Sequence, residues 1–271
     1  MRLPFTKMEA LGNDFVLMEW PEGVPAPAPE RIRRLGDRRR GIGFDQLLLI
    51  GRRPGVTATY RVFNSDGGEA EQSGNGVRCL ARYLAPSGGG EVLLEGGAGR
   101  ITARVDERGL VTVDLGVPDF RPASLPFVAD EERERYRLRV ASGEVELGAV
   151  SMGNPHAVIP VDSVERAPVG ILAPELQAHA AFPRGVNVGF MERVTPSRIR
   201  LRVFERGAGE TLACGSGAAA AVAVGRRWGL LEPEVEVALP GGSLTVRWPG
   251  PGASLQQTGP ATTVYEGRID L

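Results

Sequence analysis

The sequence predicts an α+β protein made of two duplicated domains, each with antiparallel strands and one central helix. The first observation behind this is a repeat: RVFNSDGGEAEQSGNG (residues 61–76) lies over RVFERGAGETLACGSG (residues 202–217) without a gap, at an offset of 141. The second is that the same offset aligns ALGNDFV with SMGNPHA, hence Asn13 with Asn154, and sets Gln46 of GIGFDQLL over Asn187 of PRGVNVGF. Separated matches in one register point to duplication of a domain rather than to chance likeness of glycine-rich loops. The third is texture, since short β-rich runs punctuated by turn residues dominate and clear helices are few.

The opening segment MRLPFTKMEA reads as a first strand. The runs LLEGGAGRITARV, GLVTVDLG and EVEVALPGGSLTVRW carry β-favouring residues broken by glycine turns, as antiparallel sheets do. Two helices follow the repeated motif directly, NGVRCLARYL (residues 75–84) and SGAAAAVAVGRRW (residues 216–228). The second is alanine-rich with no charge before Arg226 and is predicted to be buried, whereas the first shows a mixed face. Between the repeats, DLGVPDFRP (residues 114–122) passes from a strand-like run into glycine and proline, which marks a boundary. Residues 1–117 are therefore the N-terminal repeat domain and 118–271 the C-terminal one, with about the last ten residues able to cross back to the first.

Composition restricts the function classes. Among 271 residues Lys+Arg number 32 against Asp+Glu 33, a net charge of −1, so nothing favours nucleic acid or an anionic membrane as partner. The N-terminus lacks the apolar core of a signal peptide, and no apolar run approaches the roughly 18 residues that span a bilayer. A cytoplasmic protein is the expectation. Two cysteines exclude a disulfide scaffold, and the two histidines, His156 and His179, form no cluster with metal-ligand spacing. Lys7 is the one lysine and sits in the first strand without the setting of a buried imine, which argues against pyridoxal phosphate.

The repeated motif holds the chemistry. Packed about a pseudo-twofold axis, duplicated domains would bring equivalent loops face to face, setting Ser73 opposite Cys214. Each of these is followed by Gly-x-Gly opening a helix. Amides at a helix start attract anions, so two such starts suit a carboxylate. The same field is expected to lower a cysteine pKa, making Cys214 a candidate thiolate base or nucleophile, with a buried structural cysteine as the alternative. Cys79, one turn further in among apolar residues, reads as structural. EERERYR (residues 131–137) reads as a solvated face, and His179 is assigned no role.

Taken in order, MEALGNDFV, RGIGFDQLL, NSDGGEAEQSGNGVRC, MGNPHAV, GVNVGF and ERGAGETLACGSGA resemble the diaminopimelate epimerase family over essentially the whole chain. The resemblance implies two similar halves, each a curled antiparallel sheet around a central helix. It also implies epimerisation of LL- to meso-diaminopimelate without a cofactor, and often a homodimer. In that family one cysteine takes the α-proton and a second returns one. Because no pyridoxal ring accepts the carbanion charge, electrostatic stabilisation of the substrate carboxylate must replace it. By resemblance the amides of Gly74, Asn75, Gly215 and Ser216 bind that carboxylate. Asn13, Gln46, Asn64, Asn154, Asn187 and Arg206 match substrate-fixing positions, Arg206 being suited to a bidentate carboxylate contact. His156 and Glu205 match residues that tune the cysteine pair.

Where the family pattern has its first cysteine, this chain has Ser73. A hydroxyl is a far weaker acid than a thiol, so Ser73 is a poor half of a symmetric pair. Three readings stay open: an engineered or slow epimerase, a paralogue with one-sided α-proton chemistry (a dehydratase or a racemase of another amino acid), or a protein that only binds an amino acid.

Overall fold

In the computed structural model, which describes residues 1–70 and 73–270, the chain divides after Asp114. Glu71 and Gln72 of the repeated motif and the terminal Leu271 lie outside the described residues. One unit holds Met1–Asp114 together with the chain from Thr258 onward, and the other is Leu115–Gln257. The domain expected over 118–271 thus ends at Gln257, and the returning segment is longer than the expected ten or so residues.

The first unit runs β1 (Arg2–Ala10), β2 (Asn13–Glu19), α1 (Pro29–Gly36), β3 (Gln46–Gly51), β4 (Ala58–Asn64), β5 (Glu69–Ala70), α2 (Gly74–Leu84), β6 (Gly90–Gly96), β7 (Gly99–Val105) and β8 (Val111–Asp114). The second runs β9 (Tyr136–Val140), β10 (Gly143–Ser151), β11 (Pro155–Pro160), α3 (Val169–Gln177), β12 (Asn187–Thr195), β13 (Arg198–Glu205), β14 (Gly209–Thr211), α4 (Gly215–Arg227), β15 (Glu234–Leu239) and β16 (Gly242–Arg247). Then β17 (Gln256–Gly259) carries the chain back, and β18 (Thr262–Asp270) pairs antiparallel with β1. The protein is a two-domain α+β fold, mostly strand. Two details depart from the sequence reading. Each unit has a second, shorter helix, α1 or α3, and each sheet is mixed rather than purely antiparallel. The parallel pairs are β2 with β3 and β4 with β6 in the first unit, and β11 with β12 and β13 with β15 in the second.

The duplication is visible in backbone register. Phe15 stands beside Gln46 and Gln46 beside Asn64; 141 residues on, His156 stands beside Asn187, and the Val188–Phe204 pairing puts Asn187 level with Glu205. One surface ion pair recurs too, Arg61 with Glu69 and Arg202 with Glu210, each joining the long strand to the short one that follows. A one-residue slip would turn every side chain to the other face, so this agreement fixes which side chains meet the helix.

β3 shows how each sheet is filled. Its run Leu47–Ile50 is buried on both faces, and the unbroken apolar string is what a strand covered on both sides requires. Leu47 and Leu49 join Ile32 and Leu35 of α1 in one cluster with Phe44 and Phe63. On the inner side α2 lies against β1, β2, β6, β7 and β8, as α4 lies against β10, β11, β12, β13 and β16. The alanines of α4 are completely buried, as expected. Small side chains let the strands come close, and Gly148 of β10 marks the tightest approach. A Cβ there would lie 2.4 Å from a Val224 methyl and 2.9 Å from the Trp228 ring. Gly148→Val is therefore expected to destabilise the protein by about 2 kcal/mol or more through overpacking. Urea unfolding of both proteins checks this, and equal midpoints would show that the interface yields without cost.

Candidate active site

In the second unit β13 ends at Glu205, β14 turns back beside it, and the chain enters α4 at Cys214. Cys214 is the N-cap residue, with extended backbone (φ −120°), and its Sγ accepts from the Gly217 amide at 3.4 Å. Glycine is needed there, because a Cβ on Gly217 would come within 2.9 Å of Val203 and 3.2 Å of Sγ. From Cys214 a polar relay leads inward. Sγ lies 3.6 Å from Ser216 Oγ, which accepts from Asn154 Nδ2 at 3.3 Å, and Asn154 Oδ1 lies 2.9 Å from His156 Nε2.

A second set of bonds closes around it. Glu205 accepts from the Thr211 hydroxyl at 2.6 Å, and its carboxylate faces the Cys214 thiol. Asn187 spans two elements, donating to the Pro155 carbonyl at 3.1 Å and accepting from the Arg206 amide at 2.9 Å. The Arg206 guanidinium donates to the Arg184 carbonyl and remains exposed. Gly215 is held as well, its carbonyl accepting from the buried Gln257 at 2.7 Å. All eight residues of the second unit singled out from the sequence, Asn154, His156, Asn187, Glu205, Arg206, Cys214, Gly215 and Ser216, thus belong to one cluster.

The protonation states differ from the expectation for a helix-start cysteine. Burial pushes the Cys214 thiol well above its ordinary range and the Glu205 carboxylate adds to this, outweighing the bonds from Ser216 and Gly217 that favour the thiolate. At neutral pH the resting group is a thiol. For His156 burial, helped by the nearby Arg206 charge, pushes the imidazole down to about 3, so it is neutral. A neutral ring facing an amide oxygen carries its proton on Nε2 and leaves Nδ1 as an acceptor.

The first unit has the same scaffold with other side chains. Ser73 is the N-cap of α2, its Oγ accepting from the Gly76 amide at 3.1 Å, and Gly74 and Asn75 form the first turn. Asn75 Nδ2 donates to Asn13 Oδ1 at 3.1 Å, the counterpart of the Asn154–Ser216 bond. Asn13 Nδ2 donates in turn to Asp45 at 2.8 Å. Gln46 donates to Asn64 at 2.8 Å across β3 and β4, and its Oε1 is buried without a hydrogen-bond partner. Where the second unit has His156, Glu205 and Cys214, the first has Phe15, Asn64 and Ser73. None of those three titrates near neutral pH.

Several supporting residues escaped the sequence reading. Asp14 is ion-paired with Lys7 and Arg38, and Arg38 also bridges to Asp45. Burial alone would raise the Asp14 carboxyl, but the bonds from Arg38 and Lys7 hold it at about 2. Thr211 was hidden because position 70, its counterpart, is alanine. Arg78 is the clearest of these: a charged residue in a helix read only as having a mixed face, it is completely buried. Cys79 beside it is buried as expected, its thiol raised by burial to about 12. His179 accepts from the Ala181 amide and so stabilises a turn. Among the described residues there is no grouping of His, Cys, Asp and Glu fit for a metal, and no helix is long and apolar enough to cross a membrane.

The family model for diaminopimelate epimerase matches the chain twice, over residues 5–121 and 148–264. A diaminopimelate epimerase of Halorhodospira halophila is 54% identical over 98% of this chain and 95% of its own length. One from Alkalilimnicola ehrlichii is 51% identical over the full length of both. Among solved structures, a hydroxyproline epimerase from Agrobacterium vitis aligns with a TM-score of 0.72 at 18% identity, covering 99% of this chain and 92% of that one. A PhzF-family phenazine biosynthesis protein from Bacillus anthracis aligns over the whole of both chains with a TM-score of 0.67 at 16% identity. These two share the fold. With the family model covering most of both units and relatives matching at full length, the chain belongs to the diaminopimelate epimerase family.

Proposed function

We propose that this chain interconverts LL- and meso-diaminopimelate by removing and returning the proton on the α-carbon, without a cofactor. The observation that carries the reading is the setting of Cys214: a thiol at the start of α4, against the Glu205 carboxylate and joined through Ser216 and Asn154 to a neutral His156. A protein that only binds an amino acid has no use for a thiol poised between a carboxylate and a helix start.

The reaction then runs locally. The Cys214 proton moves to Glu205, the thiolate takes the α-proton, and negative charge builds on the substrate carboxylate. That charge meets the first-turn amides of α4, where the helix field is positive and no reorganisation is needed. Neutral His156, holding Asn154 through Nε2, keeps the relay oriented. On this reading Ser73 takes the place of the second proton carrier, and its hydroxyl makes proton return the slow step.

The direct test follows LL- and meso-diaminopimelate in deuterated water by proton NMR. Cys214→Ala is expected to abolish α-deuteration, a loss of at least about 10²-fold, whereas Ser73→Cys is expected to raise inversion by about 10²-fold or more. Undiminished exchange in Cys214→Ala overturns the assignment, and exchange without inversion in both the unsubstituted chain and Ser73→Cys would show one-sided chemistry instead.

Burial of His156 also sets an acid limit. The unfolded chain binds this proton near 6.5 and the folded chain only near 3, so between those values the unfolded state holds more protons and stability falls as pH falls. Above 6.5 the contribution is constant. Replacing His156 by Phe, the residue that occupies the equivalent Phe15 position, is expected to flatten this limb by at most about 5 kcal/mol across the window. Urea unfolding at pH 7 and pH 4 measures it; equal pH dependence in both proteins would place the acid sensitivity elsewhere.

A further inference from the structure

We infer that Arg78 is a positioning residue, whose buried guanidinium fixes which way the side-chain amides of Asn75 and Asn13 point in the first unit. The inference rests on the reading above in that both asparagines are assigned to the substrate.

An asparagine amide has two nearly identical ends of opposite polarity, and a pair of them can bond in more than one arrangement. Here both ends of the pair meet groups of a single polarity. Arg78 can only donate, and its Nη2 lies 2.8 Å from Asn75 Oδ1. That turns the Asn75 NH2 group toward Asn13 Oδ1, 3.1 Å away. At the far end the Asp45 carboxylate can only accept, and it takes Asn13 Nδ2 at 2.8 Å. Asp45 is held in turn by Arg38 at 2.7 Å. Donor, amide, amide and acceptor thus run in one direction. Asp45 orients Asn13 from one end of the pair, and Arg78 orients the buried Asn75 from the other.

The placement of Arg78 fits this task. It is among the largest completely buried side chains in the protein, and its Nε reaches the Pro260 carbonyl at 3.4 Å. Burial lowers the guanidinium only to about 10, so it stays charged at neutral pH and keeps donating.

The internal repeat supplies the comparison. At the equivalent positions of the second unit Asn154 meets Ser216, a hydroxyl, and the residue matching Arg78 is Ala219. A hydroxyl rotates to suit its partner and needs no fixed orientation. The arginine therefore occurs in the unit where the helix start carries an amide, and alanine in the unit where it carries a rotor.

The test uses the full chain carrying Arg78→Met, which keeps length and bulk but loses every donor, with Arg78→Lys as the partial rescue. The side-chain amide protons of Asn13 and Asn75 are followed by nitrogen-15 NMR, with the Gln46–Asn64 pair of the same unit as internal reference. Expected is solvent exchange of the Asn13 and Asn75 amides at least about tenfold faster in Arg78→Met, with Gln46 unchanged, and an intermediate value in Arg78→Lys. KM for diaminopimelate is expected to rise about tenfold while kcat for α-deuteration changes less. Should Arg78→Met fail to fold, the lysine variant carries the comparison on its own. Unchanged Asn13 and Asn75 exchange in a folded variant overturns the inference. Because that readout needs no substrate, it separates from the functional reading, which fails instead if no protein here exchanges the α-proton.

Discussion

A helix that begins inside a sheet cannot leave its first amides to bulk water, and this constraint organises both units. The first four N–H groups of any α-helix lack a partner within the helix. Here one of them in each unit is taken by the side chain that precedes the helix, Ser73 for the Gly76 amide and Cys214 for the Gly217 amide. The remaining first-turn positions then face a place where an anion lowers the energy. On the proposed reading the side chain that caps the helix is also the one nearest the substrate carboxylate, so a reactive atom installed as the cap is delivered to that end of the substrate.

Duplication gives two such starts, and their divergence sorts the chemistry. The shared parts are the β2–β3 and β11–β12 pairings in the same register, the glycine three residues into each motif, and a side-chain bond between position 13 or 154 and position 75 or 216, donated by Asn75 in the first unit and by Asn154 in the second. The divergent parts are side chains aimed at the helix. In the second unit they are His156, Glu205 and Cys214, all able to hold or pass a proton, and Thr211 steadies the carboxylate. In the first they are Phe15, Asn64 and Ser73, and the charge is carried instead by Arg78, Asp14, Lys7, Arg38 and Asp45. The first unit thus keeps the polar groups near its helix start oriented with ion pairs, whereas the second places ionisable groups beside its own helix start.

Much of this was legible in the sequence because duplication repeats a pattern that would be faint once. The offset of 141 marks both helix starts, the residues that precede them and most of the polar groups around them. What stayed hidden had no counterpart at that offset or broke a usual rule. Thr211 has Ala70 as its equivalent and Arg78 has Ala219, so neither stood out by repetition. Arg78 also defeats the reading of a helix by its polar face, since a charged residue in NGVRCL belongs at the surface unless a particular partner waits inside. The second helices, α1 and α3, were missed for a local reason: PERIRRLG is short and heavily charged, while VGILAPELQ contains Pro174 within it. The parallel strand pairs depend on where the chain passes after each strand, and hydrophobic alternation does not encode that.

The neutral state of Cys214 follows from the same constraint that puts it there. A thiolate at the cap and a substrate carboxylate at the first-turn amides would draw on one helix field and repel each other at close range. Burial keeps the thiol protonated and Glu205 disfavours the thiolate further, which on the proposed reading leaves the helix start to the substrate carboxylate alone. On the proposed reading the thiol proton passes to Glu205, which also accepts from the Thr211 hydroxyl at 2.6 Å, as the thiolate takes the α-proton. Charge is then exchanged within the cluster rather than added to it. A buried, unreactive resting cysteine is on this argument the form best matched to an anionic substrate, and the acidity that the helix start would otherwise confer is spent on holding the carboxylate.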